Sequence, residues 1–188
     1  MAKDLMLVID MQNVYASNGK WCCHATEDAA VNIQRIIREK PDLDVIFTRF
    51  LAPVEPRGAW QEYDRVNADV NEDAFANAML PWFADELKKY PLYSKSTYSS
   101  LTIPEVQQAA AQAERVVITG VVAECCVLST VMALIDEGIP VVYLTDAVSG
   151  VSTDTQAAVE LILSGMEPVH VRLMTTAAYL QEKMITKQ

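Results

Sequence analysis

Residues 115–146 read RVVITGVVAECCVLSTVMALIDEGIPVVYLTD. Two short runs rich in β-branched residues, 115–119 and 140–146, flank a stretch of helical periodicity that closes at Gly138. Gly fits the C′ position of a helix because it adopts positive φ without steric penalty. Strand, helix, strand is the unit of a parallel sheet, since parallel neighbours need a crossover of a dozen or more residues.

The same alternation runs outward in both directions. Residues 5–10 form an apolar first strand, and a helix is expected over 26–40, with Thr26 as N-cap and Pro41 helping to stop it. Residues 44–48 are strand two, and a short third strand falls within 90–95. A helix over 102–113 carries Pro104 in its first turn. Beyond 146 come a helix over 152–164, strand six over 168–173 and a closing helix over 175–184. Residues 49–79 read as irregular and aromatic-containing, a candidate for site walls or subunit contact. The expected fold is α/β, a three-layer α/β/α sandwich on a six-stranded, mainly parallel, doubly wound sheet, in a single domain over 1–188.

Composition agrees with a globular chain. Of its 188 residues 51% are hydrophobic and 21% charged, and the formal net charge is −10. That charge argues against nucleic acid or an anionic membrane surface as partner, since phosphate binding needs clustered Lys and Arg. No apolar run approaches the roughly 20 residues of a membrane helix, and the first residues show no signal-peptide pattern, so a cytoplasmic location is expected. There the four cysteines should be free thiols.

In doubly wound sheets the ligand crevice lies beyond the carboxyl ends of the strands at the switch point, here strands one and four. Strand one ends on Asp10, strand three on Lys95, and strand four leads into Cys125 and Cys126. An acid, a base and a thiol therefore converge from distant parts of the chain. A thiolate attacks carbonyls, and a helix start and Lys95 would both favour it. Asp10 can take the thiol proton as general base, with backbone N–H groups at the helix start as oxyanion hole. The chemistry fits acyl transfer through a thioester. Adjacent residues on a helix point about 100° apart, so one of the two cysteines is the nucleophile and the other packs.

Three ordered motifs, LVIDMQN (7–13), SKSTYSSL (94–101) and the stretch from Val116 through Gly150, resemble those of the isochorismatase-like cysteine hydrolases, which include nicotinamidases and N-carbamoylsarcosine amidohydrolases. The resemblance covers essentially the whole chain. It implies Asp10, Lys95 and Cys126 as the catalytic residues, Cys126 being the cysteine before the Val of the family's C-V-x-x-T. It also implies a non-proline cis peptide at Val121–Val122, with the amides of Val122 and Cys126 as oxyanion hole. Members acting on isochorismate lack this cysteine, so the resemblance implies a small amide, carbamoyl or ureido substrate and a homo-oligomer, dimer or tetramer. Ala123 and Glu124 stand where Thr and Asp are common.

The nicotinamidase branch binds a metal through an Asp-x-His and a further His after strand two. Here that place reads TRFLAPVEPRGAW (48–60), and the chain's two histidines, His24 and His170, lie elsewhere. No metal and no cofactor are expected. Tyr15, Trp60 and Tyr98 are candidate pocket walls, and Arg49 a candidate partner for a substrate carboxylate. Gln12 and Asn13 are expected to tie down the turn near Asp10. The consecutive residues of WCCHA (21–25) cannot easily converge on one ion, and packing explains them better. The competing readings are a nicotinamidase-like amidase with an altered metal site, a thiol redox or sensor protein using Cys125 and Cys126, and a non-catalytic binding protein on the same fold.

Overall fold

The computed structural model describes residues 3–182. Strand β1 is Leu5–Ile9, β2 Asp44–Phe50, β3 Leu92–Lys95, β4 Val116–Val121, β5 Val141–Ser149 and β6 Val171–Met174. All neighbours pair in parallel, in the order β3-β2-β1-β4-β5-β6. The order reverses between β1 and β4, which is where the chemistry-bearing residues are aimed.

Side-chain alternation explains the three layers. β1 and β4 are buried along their whole length, as central strands covered on both faces should be. Met6 and Val8 point into one core with Ile33 and Ile36 of helix α1 (Thr26–Glu39) and Tyr179 of α8 (Thr176–Gln181). Leu5, Leu7 and Ile9 point into the other. There they meet Val106 of α5 (Pro104–Gln112), Leu134 of α6 (Leu128–Asp136) and Leu163 of α7 (Thr153–Ser164).

Several boundaries differ from the sequence reading. The segment 49–79 is not irregular throughout: β2 runs on to Phe50, and α2 (Ala59–Val66), α3 (Ala68–Asn71) and α4 (Ala74–Asn77) follow. Thr26 is the first helical residue, not the cap, because its hydroxyl donates to the Tyr15 carbonyl at 2.7 Å. Strand six starts at Val171, beyond a cis Glu167–Pro168 peptide. Of the closing helix, residues 183–184 lie outside the described residues. Gly138 does end α6 as C′ (φ 72°), with Ile139 N–H donating to Leu134 O and Gly138 N–H to Ile135 O, both at 2.9 Å. That is the Schellman pattern. No helix among the described residues is long and apolar enough to cross a membrane.

Candidate active site

Three strand ends deliver the site. Asp10, the residue after β1, takes a φ of 52°, in the left-handed region that Asp tolerates better than most residues. Gln12 fixes the turn that follows: its amide donates to Phe50 O and Asn77 O, both at 2.9 Å, and its oxygen accepts from Phe50 N–H at 2.8 Å. Asn13 donates to Phe75 O at 2.9 Å. Both residues tie down the turn, as expected.

Beside them, Gly120 must let β4 approach β1. Its φ is 104°, and a Cβ there would sit 2.1 Å from the Ile9 carbonyl oxygen. The Val121–Val122 peptide that follows is cis. The chain then makes a π-helical turn over Ala123–Val127 before α6 begins. The N–H groups of Cys125 and Val127 both donate to Val122 O, at 3.0 and 3.1 Å. Single π turns are rare inside helices and recur at functional sites. Thr130 braces this turn by donating to Cys126 O at 2.7 Å while accepting from Ser100 N–H at 2.9 Å.

Lys95, Asp10 and Cys126 meet in the interior. Lys95 Nζ is 2.6 Å from Asp10 Oδ2, 3.3 Å from Cys126 Sγ and 3.2 Å from Thr97 O, so its three protons have three acceptors. Thr48 Oγ1 donates to the other oxygen of Asp10 at 2.9 Å. Residue exposures are 0% for Asp10, 4% for Lys95 and 3% for Cys126. Burial alone would drive Lys95 toward neutrality, but Asp10 and Cys126 more than offset it and its pKa is raised. The ammonium is therefore kept.

The thiol is a different matter. Burial pushes the Cys126 pKa well up, the Asp10 carboxylate pushes it further, and Lys95 only partly opposes them. These directions favour the thiol over the thiolate at rest, which leaves a proton for Asp10 to take as the general base expected from the sequence. Cys125 is half-buried, with its pKa raised by burial and then by Glu124. Glu124 itself accepts from Val151 N–H at 3.1 Å, joining the turn to the β5–α7 connection.

Aromatic rings wall the site. Tyr15 is buried, and its phenol is pushed well up, first by burial and then by Cys126 and Asp10. Trp60 packs on Tyr98 and on Tyr63, each with ring centroids 5.1 Å apart, and Phe50 lies 6.0 Å from Trp60. Tyr15 joins this ring cluster through Trp21, which lies 5.9 Å from Tyr15 and 6.3 Å from Tyr63. Tyr63 and Phe50 went unread, although Tyr63 follows Trp60 at helical spacing. Arg49 is not brought in. It pairs in register with Ser94, on the opposite face of the sheet from Phe50 and Lys95, and its Nε donates to Ser94 Oγ at 2.8 Å. In WCCHA, Trp21 stacks toward Tyr15 at 5.9 Å, Cys23 is buried, and exposed His24 bonds Gln156 Oε1 at 2.8 Å.

The isochorismatase domain family matches residues 4–178. No curated protein matches the sequence. Solved structures similar to this chain include a cysteine hydrolase from Pseudomonas syringae pv. phaseolicola 1448A, 18% identical over 95% of this chain and 91% of that one, with a TM-score of 0.80. A pyrazinamidase/nicotinamidase from Streptococcus mutans UA159 is 16% identical over 92% and 100%, with a TM-score of 0.73. A MAR1 ribonuclease from Caenorhabditis elegans is 20% identical over 95% and 80%, with a TM-score of 0.72. At such identities the likeness is one of fold.

Proposed function

The chain belongs to the isochorismatase domain family, a family of hydrolases, and we propose that it cleaves the C–N bond of a small amide, carbamoyl or ureido substrate through a thioester on Cys126. The observation that carries this reading is the placing of one buried ammonium, Lys95, against both a carboxylate and a thiol. In this reading Asp10 takes the Cys126 proton as sulfur bonds to the substrate carbonyl carbon. The oxyanion is met by the amides of Val122 and Cys126. As it collapses the C–N bond breaks, and the leaving nitrogen takes the proton held on Asp10. Asp10 then deprotonates a water, which attacks the thioester. The C–S bond breaks, and the proton returns to sulfur. Lys95 stays charged throughout and steadies Asp10. Cys126 is 3% exposed, so a substrate reaches its sulfur only where neighbouring side chains make room.

The donor set does not fit the metal of the nicotinamidase branch. Residues 48–60 carry no histidine, and among the described residues no three His, Cys, Asp or Glu side chains gather around a common point. A redox pair of Cys125 and Cys126 would leave the Lys95–Asp10 pair without a role. A polyanionic substrate is disfavoured by the net charge of −10. The test is an ammonia-release screen over small amides, carbamoyl amino acids and ureides. Turnover absent from the Cys126→Ala protein supports the reading, whereas turnover retained by that variant overturns it.

A further inference from the structure

Helix α2 turns one face inward. Trp60, Tyr63 and Asp64 share that face, at spacings of three and four residues, whereas Gln61, Glu62, Arg65 and Val66 are exposed. Trp60 and Tyr63 belong to the aromatic wall over Cys126. Asp64 brings a carboxylate oxygen, Oδ1, that is buried with no hydrogen-bond partner among the described residues. A buried carboxylate oxygen left unpaired is costly and calls for a partner. The Tyr63 phenol is pushed up first by burial and then by Tyr98, Cys126, Cys125 and Asp64.

Three of the nearby cations are already engaged, and Arg57, just ahead of α2, is exposed. Lys95 is held by Asp10, Cys126 and Thr97. Arg49 bonds Ser94 on the far face of the sheet, and Arg65 pairs with Glu62 on the outer face of α2 at 2.6 Å. Lys95, 5.5 Å from the Phe50 ring centroid, is already paired, and among the described residues Trp60, Tyr63 and Asp64 offer a substrate carboxylate no cation of their own. A substrate cation would find ring faces and that carboxylate oxygen.

We propose that the end of the substrate remote from the scissile bond carries a positive charge, an ammonium or guanidinium, seated on Trp60 and Tyr63 with Asp64 as its counter-ion. This rests on the hydrolase reading of Cys126 above. Ring faces attract cations, most strongly where water is excluded. The chain's negative net charge raises the local concentration of such a substrate.

The test uses three primary amides of matched length that differ only at the remote end: γ-aminobutyramide (cation), valeramide (neutral) and glutaramate (anion). Ammonia release by the full protein is measured for each, together with equilibrium binding to the Cys126→Ala protein. The expected result is binding of γ-aminobutyramide about tenfold tighter than valeramide, the scale of a desolvated cation–π contact, with glutaramate weakest. Asp64→Asn should narrow the gap between the first two, leaving only the part that the ring faces supply. Equal binding of all three, tighter binding of glutaramate, or a preference untouched by Asp64→Asn would overturn the proposal. Absence of turnover with the binding preference intact would instead count against the hydrolase reading alone.

Discussion

Lys95 Nζ lies 2.6 Å from Asp10 Oδ2, and neither side chain has any surface in contact with solvent. Such a pair is not a large net source of stability, because desolvation of both charges offsets their attraction. Removing one partner is another matter. Lys95→Met should lose about 3–5 kcal/mol of unfolding free energy, since it leaves the Asp10 carboxylate buried with Thr48 alone for company. Urea denaturation checks this. A loss within experimental error would mean that the carboxylate reaches water, contrary to the site's burial.

Thr130 holds the nucleophile's turn to the β3–α5 connection through two bonds, one given and one received. Thr130→Val keeps the shape and removes both, leaving Ser100 N–H without this partner and Cys126 O without the hydroxyl. The expected destabilisation is about 1–3 kcal/mol for the buried Ser100 N–H, read from the shift in denaturation midpoint. Turnover should also fall, because the Cys126 backbone loses its brace. Unchanged stability and turnover together would show that the turn holds itself.

The carboxyl-end constellation was legible because each member ends a strand, and a parallel sheet brings strand ends to one edge. Asp10, Lys95 and Cys126 are far apart in sequence and meet for that reason alone. Thr130 carried a signal too, as the Thr of C-V-x-x-T, although no role was read from it. The wall was less so. Aromatic residues in 49–79 were visible, but their arrangement depends on α2, whose eight residues are too few to announce a helix by periodicity. Arg49 shows the limit of reasoning by proximity: it lies next to Phe50 in the chain, and strand alternation sends it to the other face. Thr26 was misread as a cap because only the tertiary structure reveals the Tyr15 carbonyl that claims its hydroxyl. The features that favour the Cys126 thiolate, the helix start and Lys95, are readable in sequence, whereas the burial that opposes them is not.

Burial of acidic hydroxyls and thiols sets the pH dependence of stability. Burial and then Glu124 push the Cys23 thiol up to about 12, and burial likewise raises Cys126, Tyr143 and Tyr179. In the unfolded chain these groups ionise near their ordinary values, 9.0 for a thiol and 10.0 for a phenol. Above those values the folded state retains protons that the unfolded state has released, so stability falls as pH rises. The denaturation midpoint should hold between about pH 7 and about pH 8 and decline steadily above about pH 9. A midpoint that rose through that alkaline range would contradict the burial of these groups.

Gly120 is where backbone geometry admits no side chain. Gly120→Ala would place a Cβ 2.1 Å from Ile9 O, between two central strands, at a φ of 104°. Destabilisation of at least about 4 kcal/mol is expected, at the extreme of single substitutions, with loss of soluble expression as its first sign. A folded Gly120→Ala protein with a near-normal midpoint would mean that β1 and β4 are less closely apposed at this level.

The central claim is a covalent acyl group on one particular sulfur. The direct measurement is acid quenching of the protein during turnover of an amide it hydrolyses, followed by peptide mapping by mass spectrometry. The account predicts an added acyl mass on Cys126, labile to hydroxylamine as a thioester is and absent from the Cys126→Ala protein. An adduct on Cys125, or turnover that persists in Cys126→Ala, would contradict it.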